Sequence, residues 1–335
     1  MASHSQTQNP LIYMPTLFWR DQWARLAHTD PRSATPSQAY PGFASEIIDS
    51  MACVTREVRL WTLHSSRQYG RCRHRFSGVV TNPLTYFHHI EASEALSFCR
   101  GHNDALAEIV AEHPSRLAGF AALPMQDIAA ACEELDRAVT ELDLLGGYIG
   151  TDIGRPLNDP ELDRFYEHVV KLDVPLMIHP SPAGIDGPAG DPNLKQFDLD
   201  LLTGFAAQES IAVATLIFGG VLHRHPDIDV CLSHAGGTMT SLIGRFNRAC
   251  TKRPWVPEHL QYKGAFEESL KRLWFDTHVH DARVLEWVIE IMGSDKLLLG
   301  TNFAGWDQHA MTQDVDATLA NKMAANAKRL LRAGA

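Results

Sequence analysis

From residue 117 onward the chain alternates short apolar runs with amphipathic segments, and this order leaves few architectures open. The runs are Leu117 to Leu123, Gly147 to Gly150, Pro175 to Ile178, Ile228 to Leu232, Leu273 to Phe275 and Leu297 to Leu299. Each is too short for a helix and apolar on both faces, the pattern of a strand covered on each side. Between them lie helical periods: AAACEELDRAVTEL from Ala129, DPELDRFYEHVVKL from Asp159, a stretch from about Glu209 to Arg224, DARVLEWVIEIM from Asp281, and DATLANKMAANAKRLL at the end. Asp159 suits an N-cap, with Pro160 at the first helical position. Strand-then-helix alternation over this length predicts a parallel sheet with helical crossovers. Six such strands, with room for two upstream, predict an α/β fold, a (β/α)8 TIM barrel, as one domain over 1–335.

The first 90 or so residues are less regular. Gln22 to Ser50 reads as loop, punctuated by Pro31, Pro36 and Pro41. Residues 67–76, RQYGRCRHRF, are basic where a barrel strand is due. An anion-binding loop, an exposed insertion and an atypical segment all remain open there.

The formal net charge is −10 with no long basic run, so nucleic acid is not expected as a partner. The six cysteines, at 53, 72, 99, 132, 231 and 250, form no C-x-x-C pair. They read as buried thiols in a reducing compartment. The N-terminal residues carry no charged segment followed by an apolar core, and no apolar run reaches about 18 residues. A cytoplasmic protein with no membrane contact is therefore expected.

Barrel chemistry sits at the C-terminal ends of the strands. Reading past each run gives His179 after PLMI, His234 after VCLS, His278 and His280 after LWFD, and Asn302 and then Asp307 after LLLG. Imidazoles thus close three strands that would share one mouth. His278 and His280 are alternate residues and would face the same way if extended. His234 precedes Ala-Gly-Gly, where small side chains are expected to leave room for a ligand.

The ordered segments LAGFAALPMQD, GGYIGTD, MIHPS, IFGGVLHRHPDIDVCLSHAGG, LIGRF, VHD and LLLGTNF resemble the aminocarboxymuconate-semialdehyde decarboxylase family of the amidohydrolase superfamily, over residues 90–335. The resemblance implies a barrel enzyme using a divalent metal, usually zinc, for nonoxidative decarboxylation of aromatic or unsaturated acids such as a hydroxybenzoate. It implies His179 as a metal ligand and His234 as the catalytic group acting on metal-bound water or substrate. Arg245 matches an arginine that binds the substrate carboxylate, across a dimer interface in some members; a solvated helix charge is the alternative. A homodimer is therefore expected, with a small-molecule carboxylic acid as its partner.

Two positions depart from the family. Its opening His-x-His has only His4-Ser5-Gln6 as a local match, and its aspartate after strand eight is Asn302 here. A neutral amide is a poor metal ligand and a poor base. His4, His179 and Asn302 form the expected ligand set; a tight catalytic zinc site usually needs three protein ligands, and of these only His179 keeps the family pattern in full. A hydrolase or hydratase of a lactone or enol acid, and a degenerate non-catalytic barrel, are the competing expectations.

Overall fold

The computed structural model describes residues 77–79, 86–114, 117–181, 191–300 and 315–332. Its strands are β1 (Ser77–Val79), β2 (Leu117–Gly119), β3 (Ala121–Ala122), β4 (Gly147–Gly150), β5 (Leu176–His179), β6 (Val230–Leu232), β7 (Trp274–Asp276) and β8 (Leu297–Leu298). All pairings are parallel, β1 with β2 and then β3 through β8 in chain order. β2 and β3 are one run interrupted at Phe120, so the described residues supply seven strand positions of the α/β barrel. All six runs expected from residue 117 onward form strands.

Strand periodicity sorts the side chains into two layers. Tyr148, Met177, Cys231, Trp274 and Leu298 point inward and pack with Tyr86 and Phe120. Their neighbours Ile149, Ile178, Leu232, Phe275 and Leu297 point outward against the helices. The C-terminal helix closes the bottom, where Ala327, Leu330 and Leu331 join the inner layer. One step of the pleat above that layer come Gly150, His179, Ser233, Asp276 and Gly300. The register places them at one mouth, with Gly150 opposite His179 and Asp276 opposite Leu298.

The helices are α1 (Ala92–Glu112), α2 (Ile128–Thr140), α3 (Asp163–Leu172), α4 (Phe205–Phe218), α5 (Val221–Arg224), α6 (Met239–Lys252), α7 (Ala265–Leu270), α8 (Ala282–Met292) and α9 (Ala317–Leu330). Aspartates cap the starts of α2, α8 and α9: Asp127 accepts from Ala129 and Ala130 N–H, Asp281 from Arg283 N–H, and Asp316 from Leu319 N–H. Asp159 accepts from Glu161 N–H, but Pro160–Leu162 form a single 3₁₀ turn before α3 begins.

The helix expected from Glu209 starts earlier, at Phe205, after a π turn over Asp200–Gly204. It breaks at Gly220, whose φ of 74° ends α4 and starts α5. Together the π turn and α4 make 19 residues, long and apolar enough by composition to cross a membrane, against the expectation that no such stretch exists. Of this stretch Glu209, Ala212, Val213, Leu216 and Ile217 are buried in the protein, while Leu202 and Ile211 are exposed.

α1 carries a polar group in its buried stripe. Asn103 is fully buried because it stitches the helix to the sheet, donating to Ala122 O at 3.0 Å and accepting from Ala122 N–H at 2.8 Å. It also donates to buried Glu134 of α2 at 2.7 Å.

Candidate active site

His179 ends β5 pointing inward, and its ring is fixed from two sides. Its Nδ1 lies 2.6 Å from Pro180 O. A carbonyl can only accept, so Nδ1 carries the proton and Nε2 keeps its lone pair. Tyr86 donates its hydroxyl to His179 O at 3.2 Å, pinning the backbone.

His234 follows β6 in a conformation few side chains adopt. His234 and Ala235 have φ of 46° and 52°, and Gly236 and Gly237 continue at 70° and 69°. Left-handed backbone at non-glycine residues is costly and concentrates at functional sites. The glycines are required by packing: a Cβ on Gly237 would lie 2.1 Å from Ala206 O, and one on Gly236 2.7 Å from the Phe275 ring. This corrects the expectation that Ala-Gly-Gly leaves room for a ligand. The space is taken by the start of α4 and by β7, and the strained turn serves to aim His234.

α4 supplies a residue not singled out in the sequence. Glu209 is fully buried, and its Oε1 lies 3.1 Å from His234 Nδ1 and also accepts from the Ser233 hydroxyl. Glu209 Oε2 has no partner among the described residues. Burial raises the Glu209 pKa above the ordinary carboxylate value, opposed by His234 and Ser233 and assisted by the charge of Asp276. With Nδ1–H donating to Glu209, any proton exchange with a substrate falls to the other ring nitrogen, Nε2. The available signal was a carboxylate two residues before the apolar run IAVATLIF on the same helix.

The other strand ends converge on the same place. The His179 and His234 ring centroids are 5.1 Å apart, and His234 and His278 are 5.3 Å apart. Phe205 stands edge-on to His179 at 5.6 Å and 6.0 Å from His234. Asp276, also missed in the sequence, is buried at the end of β7 and accepts from His278 N–H at 3.0 Å. A Cβ at Gly300 would meet its carboxyl at 2.9 Å, so glycine at the end of β8 makes room for it. His88, buried and overlooked in the less regular part, places Nε2 3.4 Å from Gly150 N.

Of the expected site residues, His179 and His234 are brought together. Arg245 lies exposed on the outer helix α6, not in the imidazole cluster. His4, Asn302 and Asp307, and the basic segment 67–76, lie outside the described residues. Among the described residues no group of three histidine, cysteine or carboxylate side chains is placed to hold a metal ion. His179 Nε2 therefore represents the expected ligand set alone, and the described residues do not by themselves fit a tight divalent site.

A family model described as Amidohydrolase matches residues 87–332. The chain is 33% identical over 226 residues to a 2-amino-3-carboxymuconate-6-semialdehyde decarboxylase of Dictyostelium discoideum, covering 67% of this chain and 61% of that one. It is 29% identical over 224 residues to a gamma-resorcylate decarboxylase of Rhizobium, covering 63% and 66%. The match thus spans under two thirds of these two relatives. A 2-keto-4-carboxy-3-hexenedioate hydratase of Sphingobium is 27% identical over 298 residues, covering 85% and 79%. In fold the chain is similar to 5-carboxyvanillate decarboxylase from Sphingomonas paucimobilis, with a TM-score of 0.73 at 20% identity over 96% of this chain and 99% of that one. It is also similar to a dihydroxybenzoic acid decarboxylase from Polaromonas with bound manganese and an inhibitor, with a TM-score of 0.68 at 20% identity over 97% of each.

Proposed function

Because this chain belongs to the amidohydrolase family, we propose that it is a nonoxidative decarboxylase of a small aromatic or unsaturated carboxylic acid, such as a hydroxybenzoate. The observation that carries this reading is the His234–Glu209 pair at a mouth shared with His179 and His278. The curated decarboxylases among its relatives support it.

Loss of CO2 from such an acid needs a proton delivered to the carbon that carries the carboxylate, and stabilised charge while the carbon–carbon bond breaks. His234 delivers that proton from Nε2. Glu209 holds its Nδ1–H, fixes the tautomer and stabilises the imidazolium before transfer. Phe205 and the inner ends of the strands exclude water beside the reacting carbon. Arg245, exposed on α6, binds the carboxylate of an acid held by a second copy of the chain, which makes the working unit a homodimer.

A divalent metal, zinc or another ion such as manganese, would stabilise negative charge on the carboxylate and a neighbouring oxygen. His179 would be its ligand among the described residues, with Asn302 and His4 completing the proposed set. The buried thiols of Cys99, Cys132, Cys231 and Cys250 suit a reducing cytoplasm.

One observation favours a second reading. The hydratase match covers more of the chain than either decarboxylase match, and hydration of an enol acid would use the same mouth. Nuclear magnetic resonance of a panel of hydroxybenzoates and enol acids in D2O separates the two. Decarboxylation replaces the carboxylate by one deuteron, whereas hydration keeps the carboxylate and adds a hydroxyl. A hydrated product with no carboxylate loss would overturn the leading reading.

A further inference from the structure

Three consecutive residues of α4, Gln208, Glu209 and Ser210, reach three different turns around the mouth. Glu209 holds His234 and Ser233. Its two neighbours have no part in that pair, yet each is bonded to the backbone of a turn that carries an imidazole.

Gln208 spans the ends of β4 and β5. Its Nε2 donates to Ser181 O at 2.6 Å, and its Oε1 accepts from the Thr151 hydroxyl at 2.8 Å. A carbonyl only accepts, so the amide stands with its nitrogen toward Ser181. Ser181 is buried and ends the turn His179-Pro180-Ser181. Within that turn His179 Nδ1–H donates to Pro180 O at 2.6 Å. Thr151 holds the other side, its N–H donating to His179 O at 3.2 Å. Both ends of the Gln208 amide therefore bear on the backbone that aims His179. The site demands one donor and one acceptor at this reach. Asn is a methylene shorter, and Glu would set a carboxylate oxygen against Ser181 O.

Ser210 holds the turn after β6 from its far end. Its hydroxyl donates to Ala206 O at 2.7 Å, accepts from Thr238 N–H at 2.9 Å and lies 2.7 Å from Thr238 Oγ1. The strained run from His234 to Gly237 ends at that residue. Phe205, one turn earlier on α4, stands against both the His179 and the His234 ring. α4 begins directly from the π turn over Asp200–Gly204, with Phe205 N–H bonded to Asp200 O. Wide turns of this kind are frequent at functional sites.

We propose that Gln208 and Ser210 are positioning residues, Gln208 for the turn that carries His179 and Ser210 for the turn that carries His234. One stretch of α4 then sets the separation and orientation of the two imidazoles. Misplacing a reacting group by about 1 Å can cost about 100-fold in rate, which is the use of so many bonds to backbone. The proposal rests on the decarboxylase reading for its purpose, but the positioning itself is measured without substrate.

The test uses the full chain labelled with 15N-histidine. Solvent exchange of the Nδ1–H protons of His179 and His234 is followed by nuclear magnetic resonance. Gln208→Glu should speed exchange at His179 at least about tenfold and leave His234 near the wild-type rate, because it breaks the bond to Ser181 alone. Ser210→Ala should do the reverse. Gln208→Met, which keeps the length and removes both bonds, carries the same expectation should the glutamate variant fail to fold. A role in stability alone would move both protons together in every variant, and that result, or no change at either ring, would overturn the proposal. CO2 release from gamma-resorcylate by the same proteins forms the second arm. Gln208→Glu should lower kcat at least about tenfold with little change in KM. A wild-type kcat beside a disturbed His179 ring would contradict a catalytic purpose for the clamp. Should the wild type release no CO2 from any acid of the panel, the decarboxylase reading fails, and the exchange rates alone decide the positioning.

Discussion

His234 Nδ1 lies 3.1 Å from Oε1 of Glu209, a carboxyl with no exposed surface carried on the helix outside the strand that positions the imidazole. A buried carboxyl of this kind is costly unless it is paired and hydrogen-bonded, as here to His234 and Ser233, and the pairing fixes the tautomer of the imidazole and stabilises its charge. Glu209→Gln keeps the shape and removes the charge. We expect it to lower turnover by about tenfold or more while KM changes little, because the lost interaction acts on proton donation. Equal turnover in the two proteins would show that Glu209 only fills space.

The same carboxyl gives a pH signature. Burial holds the Glu209 proton more tightly in the folded chain than in the unfolded one. Between the ordinary value of 4.5 and the raised folded value, the folded state binds more protons, so this group's contribution to stability falls as pH rises. Urea unfolding midpoints measured from pH 4.5 upward should therefore decline less steeply in Glu209→Gln than in the wild type. Parallel curves would contradict the raised pKa.

The turn after β6 makes a separate prediction. Gly237→Ala places a Cβ against Ala206 O at a φ of 69°. It should cost about 1–3 kcal/mol or more in a denaturant titration. Gly244→Ala, on α6 with nothing within 4 Å of the added carbon, should instead be neutral or stabilise by up to about 1 kcal/mol. Similar effects at both positions would remove the packing argument for the strained turn.

The barrel was legible because its strands are buried on both faces and its helices carry one-sided stripes. His179 and His234 were legible because the pleat fixes which residue at a strand end faces inward. Glu209 was not, since its role depends on the side of α4 that meets Ser233, a contact 24 residues apart in sequence. The Gly236-Gly237 pair was visible, but its purpose lay in the neighbouring backbone. Asn103 escaped notice because a polar residue breaks the apolar stripe of α1, and only the backbone of Ala122 explains it.

Metal content tests the departures from the family pattern. Asn302→Asp restores a charged oxygen at the position after β8, so manganese or zinc retained through gel filtration should rise under matched loading. His179→Ala should lower it. Unchanged metal in both variants would argue against a site built on these residues.

Arg245 is tested by mixing subunits. Arg245→Ala should mainly raise KM, because carboxylate binding is shared by ground and transition states. A mixed dimer of Arg245→Ala with His234→Ala should recover part of the activity, since one of its two composite sites is intact. No recovery in confirmed mixed dimers would contradict a site shared between copies.

The most direct measurement is CO2 release from hydroxybenzoates by metal-replete wild-type protein and by His234→Ala at saturating acid. The account predicts release by the wild type and a loss of at least about 100-fold in the variant, the usual scale for a removed general acid. Absence of CO2 from the wild type across the panel, or equal rates in the two proteins, would contradict it.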